Sequence, residues 1–246
     1  MDNKMNHQHA NCVVYITHSI DTTMLRYMDY LKKEISDSMD FIILYDCHLQ
    51  KINPNDFPNF QFYIFDSVKR DGFFHCGNTK LPNPIVALMD LSKKFKYEHY
   101  LLMENDIVFT GNIHTFTQLI DSLECDYIHI ATDILGGAEK HWPIKYIRNN
   151  PFSHLHFSWC QLFYISHRYL ADLEIFMKEN NSFYYEFLLP TMAYNNGYSI
   201  RQFENFGYQF QLSWGPAEVF EYKYQYERMH NTFYHPIKNL SIVSFY

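Results

Sequence analysis

Tyr100-Leu-Leu-Met-Glu-Asn-Asp-Ile-Val-Phe109 is an apolar run interrupted by two carboxylates, Glu104 and Asp106. A strand buried on both faces reads as such a run, because no position along it has to meet water. Carboxylates at i and i+2 of an extended chain point to the same side. Where a strand leaves its sheet, Glu104 and Asp106 can therefore approach one divalent cation, and hard oxygen ligands suit Mg2+ or Mn2+. Ligands of open α/β sheets sit at the carboxyl ends of the strands. The stretch predicts a central strand with a site at its tip.

The same pattern extends in both directions. Cys12-Val-Val-Tyr-Ile-Thr-His18 predicts a buried strand, followed by a helix with Asp21 as N-cap and Met24, Met28, Leu31 and Ile35 on one face. Phe41–Tyr45 and Phe62–Phe65 predict two more strands, ending at Asp46 and at Asp66-Ser67. Residues 71–82, rich in Gly, His and Asn and carrying Lys80, read as a loop, and Pro84 opens a helix through Ala87, Leu88, Leu91 and Phe95. Downstream come a helix from about Asn112 to Leu123, a strand Tyr127–Ile130 and an irregular connection from Gly136 to Pro151. A strand Phe157–Ser166, a helix His167–Lys178 and a helix Tyr184–Asn195 capped by Gly197 follow. Beyond Phe203 the sequence is aromatic and turn-rich with no clear period. The fold class expected is α/β, a single domain over 12–246 with a mostly parallel central sheet flanked by helices, after a flexible polar N-terminus over 1–11.

Composition narrows the function classes. The 246 residues carry 20 Lys+Arg against 27 Asp+Glu, a net charge of −7, which argues against a nucleic-acid partner. A hydrophobic content of 47% with 19% charged residues excludes disorder for the bulk. Aromatic residues make up 19%. Such rings suit a sugar or nucleotide site, and an AT-rich coding sequence gives the same enrichment. Five cysteines without a C-x-x-C pair fit reduced thiols and a cytoplasmic setting. No signal-like start and no transmembrane segment is present in the sequence. Any membrane contact is expected to be peripheral, through a partner or the protein's own substrate.

Five segments occur in a telling order: Val13–His18, Tyr100–Phe109, Phe157-Ser-Trp-Cys-Gln-Leu-Phe-Tyr-Ile-Ser-His-Arg-Tyr-Leu170, Tyr185-Glu-Phe-Leu-Leu-Pro-Thr191 and Phe233-Tyr-His-Pro-Ile-Lys238. In that order the chain resembles the nucleotide-sugar glycosyltransferases of the GT-A type, whose fold is Rossmann-like. The resemblance implies transfer of a sugar from a nucleoside-diphosphate donor to a hydroxyl of a glycan or lipid-linked acceptor; bacterial surface-polysaccharide synthesis would suit such an enzyme. It implies that Asp106 and His235 ligate Mn2+ or Mg2+ on the donor diphosphate, with Glu104 assisting directly or through water. Here the first acid of the family motif is Glu104 rather than Asp, so Asp106 is the principal ligand. Thr17, His18, Asp46, Lys80, Asn105 and Lys238 are the implied donor contacts. Glu186 is the candidate general base, with Asp133 in reserve.

Alternatives accompany several of these residues. Thr17, His18 and Asp46 can be ordinary strand caps, and Glu186 can simply favour a helix N-terminus. If no metal binds, Lys80, Lys238 or Arg168 would offset the diphosphate charge. Trp159 and Trp142 are candidates to stack on an acceptor sugar, and His154-x-His156 is a candidate zinc pair. Two other function classes share these features: a non-catalytic sugar-nucleotide or glycan-binding module, and a metal-dependent nucleotidyltransferase or phosphohydrolase.

Overall fold

The computed structural model describes residues 8–68, 74–76, 79–81, 84–131, 141, 144–145, 147, 150–180 and 183–244. The chain opens with β1 (Asn11–Thr17), α1 (Thr22–Ile35), β2 (Asp40–Asp46) and β3 (Gln61–Phe65). Asp21 caps α1 as expected, its carboxylate accepting the Met24 N–H at 2.8 Å. The segment read as a loop over 71–82 instead contains two short antiparallel strands, β4 (Phe74–Cys76) and β5 (Thr79–Leu81). Next come α2 (Pro84–Lys94), β6 (His99–Glu104), β7 (Val108–Phe109), α3 (Ile113–Asp121) and β8 (Tyr127–His129). The strand expected from Phe157 starts later, as β9 (Leu162–Ser166), followed by α4 (His167–Glu179) and α5 (Tyr185–Asn195). Gly197 follows α5 with φ +73°, the left-handed position glycine favours. The stretch beyond Phe203 is more regular than its sequence suggests: after β10 (Ile200–Gln202) it holds β11 (Gln209–Leu212), α6 (Ala217–Tyr226) and β12 (Thr232–His235).

The main sheet has seven strands in the order β10-β8-β9-β6-β1-β2-β3. Parallel pairing joins β6 to β1, β1 to β2, β2 to β3 and β8 to β10, while β9 runs antiparallel to both β6 and β8. The sheet is thus mostly parallel, as expected, with one reversed strand. A second, three-stranded sheet in the order β11-β12-β7 packs beside the tip of β6. Alternation along the strands sends side chains to two cores. Val13, Tyr15, Leu101 and Met103 pack with residues of α1 and α3, and Val14, Tyr100 and Leu102 with residues of α2, α4 and α5. Both faces are covered, which is why β1 and β6 carry uninterrupted apolar sequence. No helix among the described residues is long and apolar enough to cross a membrane.

The reversed strand is fastened by an acid that the sequence reading missed. Asp126 lies just before β8 and is 8% exposed. Its carboxylate accepts from Ser166 Oγ at 3.0 Å, from Arg168 Nε at 3.2 Å and Nη2 at 2.5 Å, and from Ser199 N at 3.0 Å and Oγ at 2.8 Å. One side chain therefore ties together the ends of β8, β9 and β10. Burial works against its ionisation, but the bonds from Arg168 and Ser199 prevail and hold the carboxyl down at about 2. We expect Asp126→Ala to destabilise the protein by about 3 kcal/mol and to lower Tm by roughly 6–12 °C. Because the folded-state value is depressed, this contribution is complete above the unfolded carboxyl pKa near 4 and is lost as pH falls towards 2. Melting curves of the variant and the wild type should therefore converge in that acid window.

Candidate functional site

The turn after β6 is held from below by buried groups that pin its backbone. Tyr15 Oη donates to the Asn105 carbonyl at 3.0 Å, Ile237 N to the Asp106 carbonyl at 2.8 Å, and Tyr27 Oη to the Ile107 carbonyl at 3.2 Å. Ile107 N closes the turn onto the Glu104 carbonyl at 3.2 Å. Three consecutive carbonyls are satisfied from three different elements, so the Glu104 and Asp106 side chains leave a backbone with little freedom.

His235, the last residue of β12, reaches this turn because β12 pairs with β7 immediately downstream of it. Its Nε2 lies 3.2 Å from Asp106 Oδ1 and 3.4 Å from Glu104 Oε2. Lys238 donates from Nζ to Asp106 Oδ2. Among the described residues, Glu104, Asp106 and His235 form the group of metal-capable side chains whose ligand atoms converge, all within 4.8 Å of one another. Burial opposes ionisation of Asp106, yet its hydrogen bond from His235 and the charges of His235 and Lys238 hold it at about 2. His235 shows the reverse balance: burial lowers its pKa, and hydrogen bonding to Asp106 and Glu104 overrides that and lifts it to about 9. Two acids and two bases are thus mutually neutralised.

This donor set fits a divalent cation. The two carboxylates are hard oxygen ligands of the kind Mg2+ and Mn2+ take, while the imidazole is a nitrogen ligand better suited to softer divalent ions, and His235 presents Nε2, not its buried and unpartnered Nδ1, to the carboxylates. In the absence of a cation, the His235 proton and the Lys238 ammonium supply the positive charge.

Glu186 stands in the first turn of α5 and is fully buried. Its placement follows from Pro190, which lacks the N–H that would bond the carbonyl four residues earlier. The Glu186 carbonyl instead accepts from Ser158 N at 3.0 Å, tying the start of α5 to the segment before β9. Its carboxyl accepts from Gln161 Nε2 at 3.2 Å through Oε1, while Oε2 is buried without a hydrogen-bond partner. Burial, then the negative charge of Glu104, pushes this carboxyl up to about 8, against smaller opposing effects of Gln161, Cys160 and His235. A carboxyl poised there exchanges a proton near neutral pH, as a general acid or base must.

The remaining candidates divide. Thr17 and Asp46 end β1 and β2 at the same sheet edge as Glu104, with Ile16 in register with Glu104, and His18 directly follows Thr17. The Thr17 hydroxyl donates to the Ser19 carbonyl at 2.9 Å, and Asp46 Oδ1 accepts from His48 N at 3.1 Å and Ser67 N at 3.0 Å, so both cap strand ends. Lys80 lies in β5, and its side chain, like Asp133 and Trp142, falls outside the described residues. Arg168 is not at this edge. It follows the end of β9, where Ser166 pairs with His99 at the start of β6, on the order of 17 Å of strand away from Glu104; its partner is Asp126. The His156 ring stacks on Tyr194 at 4.4 Å and joins no converging metal-capable group among the described residues. Sequence reasoning missed Gln161, Tyr15 and Tyr27. A glutamine inside an apolar run was the one local signal for the first, and nothing local marks the two tyrosines.

No protein-family model matches the chain, and no curated protein sequence matches it. Among solved structures the chain is similar to the galactosyltransferase LgtC in complex with donor and acceptor sugar analogues, at 11% identity, TM-score 0.46, covering 78% of this chain and 72% of that one. It is also similar to a protein from Bacillus anthracis described as a glucose-1-phosphate thymidylyltransferase, at 7% identity, TM-score 0.46, with coverage of 78% and 86%. A third is CMP:2-keto-3-deoxy-manno-octonic acid synthetase complexed with CTP, at 10% identity, TM-score 0.42, with coverage of 78% and 88%.

Proposed function

We propose that the protein is a glycosyltransferase that moves a sugar from a nucleoside-diphosphate donor to a hydroxyl acceptor. The observation that carries this reading is the pairing of two separate acidic centres. Glu104, Asp106 and His235 converge at the carboxyl end of the central strand, and the buried Glu186 feels the Glu104 charge from α5. In the reaction the acceptor oxygen bonds to the anomeric carbon and its proton passes to the ionised Glu186 carboxylate. The bond from the anomeric carbon to the diphosphate oxygen breaks, and its electron pair leaves with the nucleoside diphosphate. Lys238 places an ammonium beside Asp106, where it can offset the departing charge. A cation held by Glu104, Asp106 and His235 would supply further positive charge to that leaving group.

A nucleotidyltransferase would share the strand-end acids, but one whose nucleophile is a sugar phosphate, already ionised at neutral pH, needs no base. The buried, proton-exchanging Glu186 therefore favours a neutral hydroxyl as nucleophile. The test is to incubate the protein with UDP-, GDP- and dTDP-sugars, with and without Mn2+, and to assay for nucleoside diphosphate. Release of the diphosphate is the expected outcome. Release of pyrophosphate from a nucleoside triphosphate and a sugar 1-phosphate would assign the other reaction, and binding without turnover would leave a binding module.

A further inference from the structure

Two tryptophans adjoin, along the chain, residues bonded to the two acidic centres. Trp159 precedes Gln161, the hydrogen-bond donor to Glu186, by two residues, and its neighbour Ser158 donates to the Glu186 carbonyl. Trp214 lies two positions beyond Leu212, the register partner of His235, and Ser213 N donates to the His235 carbonyl at 3.2 Å. The two indoles meet edge-on with centroids 4.8 Å apart. Phe157 backs both, at 5.5 Å from Trp159 and 6.1 Å from Trp214, and His141 stacks on Phe157 at 3.4 Å. Trp214 is nevertheless 46% exposed.

An exposed indole on a loose loop would be unremarkable, but this one is held. The backbone before it is bonded to His235, and Gly215 N after it donates to Ser213 Oγ at 2.9 Å. Its ring is buttressed by three others. A large apolar ring kept in water by a pre-ordered frame suits a ligand with a flat, non-polar face and a polar rim. A pyranose has that shape: C–H bonds on its face and hydroxyls at its edge. The site's topology separates this subsite from the nucleotide. Thr17 and Asp46 end strands on the β1–β2 side of β6, whereas Trp159 leads into β9 on the opposite side. The platform is tied by its backbone to both centres, through Ser158 to Glu186 and through Ser213 to His235.

We propose that Trp214, packed against Trp159, is the stacking platform for the acceptor, and that the acceptor residue is a pyranose presenting a C–H face. This rests on the glycosyl-transfer reading above, and the test separates the two. Intrinsic tryptophan emission of the full chain is titrated with methyl α- and β-pyranosides of glucose, galactose and mannose and with lactose and cellobiose. Each titration is run with and without Mn2+ and a nucleoside diphosphate. At least one sugar should give a saturable change in emission. Trp214→Ala should weaken that sugar about tenfold or more, Trp214→Phe should restore part of the loss, and Tyr226→Ala, which removes a ring 71% exposed on α6, should leave sugar affinity unaltered. Absence of any response in the wild type, or equal affinity in Trp214→Ala, would overturn the platform. Donor cleavage by the wild type is scored separately, so a protein that binds pyranosides without releasing nucleoside diphosphate keeps this subsite and loses the proposed reaction.

Discussion

Asp106→Asn is expected to lower donor turnover by about 10²–10³-fold and, because the buried Asp106 carboxylate is the partner of His235 and Lys238, to lower the melting temperature at neutral pH as well. The amide keeps the size of the side chain, and the Asp106 carbonyl still accepts from Ile237 N, so the turn is retained. What disappears is the charge that holds both His235 and Lys238. Calorimetric titration with Mn2+ should show the same loss. In the wild type, cation affinity should rise with pH, because an imidazole must shed its proton to act as a ligand and that of His235 is held up to about 9. Cation affinity identical in Asp106→Asn and the wild type would remove the cluster from the mechanism.

Glu186→Gln should separate activity from stability in opposite directions. As Glu186 is the proposed base of the proposed transfer, its loss is expected to slow that reaction by about 10²–10⁴-fold and to abolish the rise of kcat with pH on approach to the Glu186 value of about 8. A carboxyl whose folded pKa is raised binds a proton that the unfolded chain releases, so stability falls as pH rises between the unfolded value near 4.5 and the folded one. At pH 7 this amounts to about 3 kcal/mol in the wild type. The neutral amide does not carry that penalty, so the variant should melt higher than the wild type at pH 7 and about equally at pH 4. A stability gain accompanied by unchanged kcat would make Glu186 a structural residue only.

How much of this was legible in the sequence varied with how local the cause was. The β1–α1–β2 unit could be read because its signals are short-range: Asp21 caps, and Met24, Met28, Leu31 and Ile35 are all buried. Glu104 and Asp106 were visible as acids breaking an apolar run. The direction of β9 was not, since an apolar strand carries no mark of which way it will pair, and the Asp126 clamp joins residues 40 and 73 apart in sequence. Phe157–Gln161 looked like strand because it is apolar, yet there Ser158 N and the Gln161 amide are directed to Glu186. The second sheet went unread because Thr232–His235 is buried throughout and shows no alternation. Pro190 did carry a readable signal: a proline four residues after an acid at a helix start leaves that acid's carbonyl available for another donor.

The cluster's two halves are made far apart in time. Asp106 and Lys238 are separated by 132 positions, and at about 5–20 residues per second the ribosome takes on the order of ten seconds to travel between them. During that interval a nascent chain can already assemble β1, β2 and β6 but has neither imidazole nor ammonium to set against its two carboxylates. A chain cut short before His235 therefore lacks the basic half of the cluster, however well its first half folds.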